Sequence, residues 1–145
     1  MSLNYSEINA RAINLLLSVK KHACSLDQGL KALVELRVSQ INGCAYCVDL
    51  HSNEAREAGE PQRKLDCLPV WEESDLFTDR EMAALSWAES VTNIAGSSAM
   101  GERLEVLLGH YSESEAVDLT IIIALMNCMN RLAISFGDKP QHRST

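Results

Sequence analysis

Residues 36–51 read Leu-Arg-Val-Ser-Gln-Ile-Asn-Gly-Cys-Ala-Tyr-Cys-Val-Asp-Leu-His, and most of what the sequence predicts follows from this stretch. Cys44 and Cys47 form a Cys-x-x-Cys pair, and His51 follows Cys47 by four residues. On a helix these three positions share one face, so both thiols and the imidazole point the same way. Two thiols beside a base are the groups that thiol–disulfide chemistry needs.

The two residues before the pair, Asn42 and Gly43, form a helix-stop signal. They predict a sharp turn at Gly43 that opens a new helix, with Cys44 near its N-cap and Cys47 in its first turn. Free backbone N–H groups and the positive end of the helix dipole favour thiolate there and lower a cysteine pKa from about 8.5 into the range of roughly 3.5–7.5. His51 can accept or return a proton. This geometry suits a cycle in which one sulfur is oxidised and the other closes a disulfide.

Helical periodicity dominates the rest of the chain, and strand patterning is almost absent. Six or seven helices are predicted, roughly at 6–22, 27–42, 44–58, 61–68, 78–95, 101–110 and 112–136. Capping boxes are predicted at Ser25-x-x-Gln28, Thr78-x-x-Glu81 and Ser112-x-x-Glu115. The expected class is all-α, a single domain over residues 1–145 with a polar tail from about residue 137 that frays.

Composition limits the function classes. The chain has 145 residues, a formal net charge of -7 and a pI near 5.0, which argues against a nucleic-acid footprint and against docking on anionic membranes. Its cysteine count is odd, and no secretory signal pattern is visible, so a reduced, cytoplasmic setting is expected. In that setting a Cys-x-x-Cys pair is more often catalytic or metal-binding than structural.

The predicted last helix is apolar nearly all round between Leu119 and Met126. A small bundle covers such a helix poorly, so we expect a homo-oligomer that buries it. Asn127, Asn130 and Arg131 interrupt the apolar pattern. They argue against a membrane span and predict a buried hydrogen-bond network at a subunit contact.

From the residues alone, three interpretations of the cysteine cluster stay open. These are redox chemistry, plain core packing, and a tetrahedral zinc site in which Cys67 or Cys24 joins Cys44, Cys47 and His51. A structural zinc site typically draws on two close ligand pairs, and the sequence holds no second close pair, so no metal is expected. No glycine-rich phosphate loop is visible, and no cofactor is expected.

Residues 36–51, followed by Glu54-Ala55-Arg56 and Ala58-Gly59-Glu60, closely resemble the core of the alkylhydroperoxidase AhpD-like proteins of the carboxymuconolactone decarboxylase superfamily. The resemblance continues through residues 77–81 and 84–87 and ends in Asn127-x-x-Asn130-Arg131. It implies an all-helical bundle that assembles into trimers or hexamers. The implied activity is a peroxidase that reduces a hydroperoxide to an alcohol with its dithiol, which a separate thiol or dithiol reductant restores.

The same resemblance assigns roles to three residues. Cys47 matches the peroxide-attacking cysteine, Cys44 the resolving cysteine, and His51 the histidine of the family's proton relay. The redox-inactive lactone decarboxylases of the superfamily lack the cysteine pair. Its presence here therefore favours the peroxidase branch.

Two positions depart from the family pattern. The relay glutamate usually stands twelve residues before the first cysteine, and that position is Ala32 here. Glu35, one turn further along the helix, is the candidate replacement, and a solvated charge beside Arg37 is the alternative. Tyr46 stands between the cysteines, where the best-studied members have a histidine. These departures leave a second hypothesis open, a thiol–disulfide transfer or redox-sensing module with little peroxidase activity.

Overall fold

The computed structural model describes residues 1–140 and shows eight α-helices and no strand within them. The helices are α1 (Tyr5–Ile8), α2 (Ala10–Ser18), α3 (Gln28–Asn42), α4 (Ala45–Glu57), α5 (Gln62–Cys67), α6 (Asp79–Thr92), α7 (Met100–Leu108) and α8 (Glu113–Phe136). Short 3-10 helices lie at Val19–Lys21, Leu68–Glu73 and Ile94–Gly96. The all-α prediction is confirmed over this range. Residues 141–145, the end of the predicted tail, lie outside it.

The prediction of one continuous helix over residues 6–22 is wrong. Asn9 separates α1 from α2, with φ −132° and ψ 61°, and its side chain accepts a hydrogen bond from the backbone N–H of Ala12 at 3.2 Å. An asparagine side chain competes with the helical backbone for hydrogen bonds in this way. The hydrophobic period alone cannot reveal such a break.

The predicted helix starts are right at two of three places. The capping boxes at residues 78–81 and 112–115 are present in full. The predicted box at Ser25 is wrong, because Asp27 is the N-cap of α3. Ser25 instead donates its N–H and its hydroxyl to the Asp118 carboxylate, at 3.0 and 2.6 Å. The local N-cap Asp27 therefore begins α3, and Ser25 is bound to a distant helix instead.

Helix α3 lies at the centre of the fold and packs against α4, α6 and α8. Two apolar clusters meet on it, one of which contains Cys44 and Cys47 together with residues of α6 and α8. The other contains Trp71 and Phe77 from the segment between α5 and α6. The cysteine pair is therefore part of the larger core cluster.

The two ends of the described chain meet. Gly137 ends α8 at φ 82°, and the next residue, Asp138, accepts a hydrogen bond from the Tyr5 hydroxyl at 3.0 Å. The N–H of Leu3 donates to the Phe136 carbonyl at 3.0 Å. The prediction that the tail frays from about residue 137 is therefore wrong for its first two residues.

Helix α8 is not fully covered by the rest of the chain. By length and composition it could cross a membrane, with a mean hydropathy of 1.6, and 39% of its most apolar window is buried. Val117, Ile121 and Ile134 are exposed apolar residues on this helix. The homo-oligomer stays a prediction, and this exposed apolar surface is the physical reason to expect it.

The turn at Gly43 yields a stability prediction. Gly43 has φ 71°, and an added Cβ would meet no atom within 4 Å, so Gly43→Ala introduces backbone strain without a clash. We expect a loss of about 1–2 kcal/mol in the free energy of unfolding, measured in urea. Gly101→Ala is the matched control, since Gly101 is equally open and lacks a positive φ. Equal effects of the two substitutions would contradict the strain assigned to Gly43.

Candidate active site

The α3–α4 junction forms as the sequence predicts. Gly43 ends α3 in the left-handed region, and Cys44 is the N-cap of α4 in extended conformation. The Cys44 sulfur accepts a hydrogen bond from the backbone N–H of Cys47, with an N–Sγ distance of 3.4 Å. One backbone donor in the first turn of α4, the N–H of Cys47, is therefore directed to the sulfur of Cys44, the first of the two cysteines.

The two thiols are buried and in contact. Cys44 is 1% exposed and Cys47 is 3% exposed, and their Sγ atoms lie 2.6 Å apart and share a hydrogen bond. A disulfide needs an S–S distance of about 2.05 Å. Little movement of either side chain would therefore be needed to join them.

For Cys47, the prediction of a lowered pKa is wrong. Burial raises the pKa of this thiol to about 12, the hydrogen bond to Cys44 adds to the increase, and a hydrogen bond from Asn130 opposes it. The sequence argument considered the helix end but not the desolvation of a sulfur inside the core. Burial thus favours the thiol form of Cys47 over the thiolate.

His51 lines the same cavity as Cys47, and two carboxylates contact its imidazole. Its Nδ1 lies 2.9 Å from an oxygen of Glu35 and 2.7 Å from an oxygen of Glu54. Burial lowers the pKa of His51, but the hydrogen bonds and charges of the two glutamates outweigh burial and leave the pKa raised. The carboxylates therefore stabilise the imidazolium that forms when His51 takes a proton.

Glu35 is 3% exposed, so the alternative of a solvated charge beside Arg37 is wrong. The Lys20 ammonium contacts both of its oxygens, at 2.8 and 2.9 Å. Burial raises the pKa of Glu35, but its partners His51 and Lys20 lower the pKa by more than burial raises it. The pKa of Glu35 therefore lies below its usual value. The structure thus places a carboxylate from position 35 against His51, although position 32 is an alanine.

Sequence reasoning missed two members of this cluster. Glu54 follows His51 by three residues on the same helix, and that spacing could have identified it. Lys20 comes from the 3-10 helix after α2, and no local pattern connects it to Glu35. Its approach depends on how the N-terminal segment packs on α3.

A mostly apolar cavity of about 290 Å³ opens beside these groups. Its walls include Cys47, His51 and Glu35, and residue 44 is not among them. The apolar lining comes chiefly from α2 and α8, with Ile13, Leu17, Ile122, Leu125, Met126 and Met129. Tyr46 and the Tyr5–Asp138 pair complete the cavity. Cys47 is thus the sulfur that a molecule in this cavity would meet.

Part of the charged cluster also borders a second cavity of about 330 Å³. Lys20, Glu35 and Glu54 line both cavities, and the second is further lined by Lys31 and Glu57. The first cavity is apolar, whereas the second is lined largely by charged groups. Glu35 and Glu54 therefore lie between an apolar cavity and a polar one.

The hydrogen-bond network predicted for Asn127, Asn130 and Arg131 forms and also includes Asn42, but its Arg131 member is exposed and not buried. Asn42 Nδ2 donates to Asn127 Oδ1 at 2.9 Å and to Asn130 Oδ1 at 3.0 Å. Asn130 Nδ2 donates to the Ser39 hydroxyl at 3.1 Å. The network links α3 to α8 within the chain, and its predicted place at a subunit contact stays a prediction.

The zinc site considered from the sequence is not assembled among residues 1–140. Cys24 is exposed, and Cys67 packs against the other apolar cluster. In this part of the chain the ligand atoms that converge within 4.8 Å belong to Glu35, His51 and Glu54. Lys20 already neutralises Glu35 there. The expectation that the protein holds no metal stays a prediction.

Comparison with known proteins identifies the family. The model of the carboxymuconolactone decarboxylase family matches residues 8–90. An uncharacterized protein of Bacillus subtilis strain 168, YdfG, is 34% identical over 139 residues, which cover 94% of this chain and 95% of the relative. The chain therefore belongs to the AhpD-like proteins of the carboxymuconolactone decarboxylase superfamily.

Solved structures agree with this assignment. A protein from Agrobacterium tumefaciens, described as of unknown function and provisionally as the antioxidant defence protein AhpD, superposes with a TM-score of 0.92 at 33% identity. The match covers 98% of this chain and 99% of that protein. The debrominase Bmp8 superposes with a TM-score of 0.78 at 24% identity, over 90% of this chain and 69% of its own, which shows a shared fold.

The carboxylates around His51 predict a pH-dependent stability. Because the folded-state pKa of His51 is raised, its contribution to stability is fully present below the unfolded pKa of about 6.5 and is lost as pH rises through the folded value. Glu54→Gln should therefore lower the free energy of unfolding more at pH 6 than at pH 9, measured by urea denaturation. Glu57→Gln, an exposed carboxylate on the same helix, is the control. An equal loss at both pH values would contradict this role of Glu54.

Proposed function

We propose that this protein is a thiol-dependent peroxidase that reduces organic hydroperoxides with its Cys44–Cys47 dithiol. The observation that carries the proposal is that Cys47 lines an apolar cavity together with His51 and Glu35, which contact each other. The sulfur of Cys47 is also in contact with the sulfur of Cys44. Family membership supports the class, and the redox chemistry is inferred from this geometry.

The first step oxidises Cys47. His51 takes the thiol proton, and Glu35 and Glu54 stabilise the imidazolium that results. The Cys47 thiolate attacks the terminal oxygen of the hydroperoxide, and the O–O bond breaks. The alkoxide leaves with the proton from His51 as an alcohol, and Cys47 becomes a sulfenic acid.

The second step closes the disulfide. The Cys44 thiol attacks the sulfenic sulfur of Cys47, an S–S bond forms, and water leaves. Overall, the dithiol loses two electrons and the hydroperoxide gains them. An external thiol or dithiol then reduces the disulfide, and a reducing compartment such as the cytoplasm would supply it. The polar cavity beside Lys20, Glu35 and Glu54 would give solvent protons access to the two carboxylates that contact His51.

The burial of both sulfurs bears on the alternative hypothesis of thiol–disulfide transfer. A protein disulfide would have to bring its sulfur within bonding distance of Cys47, which is 3% exposed. A small molecule in the cavity meets no such obstacle. Burial therefore favours a small oxidant over a protein partner, and it favours peroxidase chemistry over transfer between proteins.

A reductive dehalogenase is the second candidate, because the cavity beside the dithiol is apolar and a debrominase shares the fold. In that reaction an aryl bromide would gain hydrogen and release bromide while the dithiol becomes a disulfide. Bromide release from a brominated phenol, compared with alcohol formation from cumene hydroperoxide, separates the two activities. Bromide release without peroxide consumption would reverse the order of the two candidates.

Cysteine substitutions test the cycle. Pre-reduced wild-type protein should lose two thiols per hydroperoxide, mapped by mass spectrometry to Cys44 and Cys47. Cys47→Ser should abolish peroxide consumption, and Cys44→Ser should stop at a sulfenic acid that dimedone traps. Cys128→Ser, a half-buried cysteine outside the cavity lining, is the control and should retain activity. Full activity in Cys47→Ser would overturn the assignment.

We also propose a homo-oligomer, with a trimer or hexamer as the family resemblance implies. Val117 and Ile121 lie one turn apart on α8 and are 58% and 37% exposed. Ala124, on the same face, is exposed as well. A contiguous apolar surface of this kind on a soluble protein marks an interaction site.

Light scattering tests the assembly. Wild-type protein should show a multiple of the 16.0 kDa chain mass. Ile121→Arg should shift the population toward monomer, because it places an unpaired charge in the proposed interface. Val70→Arg, which changes an exposed apolar residue outside α8, should leave the mass unchanged. A monomeric wild-type protein would contradict the proposal.

A further inference from the structure

The apolar cavity of the candidate active site carries more negative than positive charge. Among residues 1–140, its walls include three carboxylates, those of Glu35, Glu54 and Asp138, and one ammonium group, that of Lys20. His51 adds a second positive charge when it is protonated. The cavity is therefore net negative whether or not the imidazole carries a proton.

Two of these carboxylates lie against positive or protonatable groups, and the third does not. The two glutamates contact the Lys20 ammonium or the His51 imidazole. Asp138 accepts a hydrogen bond from the Tyr5 hydroxyl at 3.0 Å, and it forms no ion pair with any of residues 1–140. A hydroxyl donor is uncharged, so the negative charge of Asp138 stays on the cavity wall.

The end of α8 holds Asp138 in place and adds to its charge. The N–H of Asp138 donates to the Ala133 carbonyl at 2.9 Å, so the residue is tied to the last turn of the helix. The C-terminal end of a helix carries a partial negative charge, and α8 has no basic residue in its last turn. A cation would stabilise this helix end, whereas a carboxylate does not. Two sources of negative potential therefore coincide at one side of the cavity.

We propose that Asp138 makes this cavity selective for uncharged apolar molecules and against those that carry a carboxylate. Like charges repel each other more strongly beside apolar walls than in water, and apolar side chains offer an anion no hydrogen bond. The positive groups of the cavity, Lys20 and His51, already contact glutamates and offer little to an incoming anion. The inference deepens the proposed function and rests on it for the reaction: the substrate would be a neutral organic hydroperoxide.

Alkylation of Cys47 measures this selectivity without a peroxide. Iodoacetamide and iodoacetate are close in size and differ by one negative charge, and each reaction is followed by peptide mass spectrometry in a Cys44→Ser background. Asp138→Asn removes one charge and keeps an oxygen that accepts the Tyr5 hydroxyl. We expect this change to raise the rate with iodoacetate, relative to the rate with iodoacetamide, by about 5- to 30-fold, as estimated for one unit charge at an effective dielectric constant of about 20.

The use of a ratio makes the result specific to charge. Both reagents meet the same sulfur, so a change in the reactivity of the Cys47 thiolate cancels. Asp75→Asn is the matched control, because Asp75 is exposed and does not line the cavity, and its loss changes the net charge of the chain by the same amount. Its ratio should equal that of the parent.

The alkylation outcomes decide the proposal. An unchanged ratio in Asp138→Asn would overturn it, and so would an equal rise in Asp75→Asn. Failure of iodoacetamide to modify Cys47 in the folded parent would overturn it as well, since the cavity would then admit no small neutral molecule to the sulfur.

Peroxide consumption is measured separately. Cumene hydroperoxides with a para methyl ester or a para carboxylate differ chiefly in charge, and pre-reduced wild-type protein should consume the ester faster. Equal rates would overturn the charge selectivity and keep the peroxidase function. An alkylation ratio that responds to Asp138→Asn, together with no consumption of either peroxide, would keep the selectivity of the cavity and refute the peroxidase function.

Discussion

The left-handed turn at Gly43 sets the geometry on which the site depends. It ends α3 and begins α4 within two residues, so Glu35 on α3 meets His51 on α4 while Cys44 caps the new helix. One residue more or fewer in this turn would rotate the face of α4 by about 100° and carry Cys47 and His51 away from the cavity. Glycine adopts this positive φ at no steric cost because it has no Cβ. The placement of the other site residues depends on this turn.

Burial acts on the site in two opposite ways. It suppresses ionisation of Cys47, and it strengthens the attraction among the charged groups that surround His51. In that cluster Glu35 is neutralised by Lys20 as well as by His51, so a carboxylate in the core keeps its charge. In the proposed cycle the Cys47 proton is transferred to His51, and the two carboxylates that contact His51 stabilise its cationic form.

The fold alone leaves the chemistry undetermined, because related helical frameworks carry different activities. A debrominase shares this framework with the present chain. In this chain the apolar cavity is lined by Cys47, Tyr46 and Glu35, and Cys44 contacts the Cys47 sulfur from outside the lining. Moving the carboxylate by one helical turn preserves its contact with His51, because residues three apart lie on the same face of α3. The proposed peroxidase function rests on this cavity and its residues.

The sequence by itself determined the helices, the turn at Gly43 and the face shared by Cys44, Cys47 and His51, because each depends on residues within a few positions of one another. The tertiary structure decided what long-range packing controls. It brought the Lys20 ammonium to a buried carboxylate, and it raised the pKa of the cavity-facing thiol by desolvation. No local pattern encodes these features, since burial and the partners of a charge are set by segments distant along the chain.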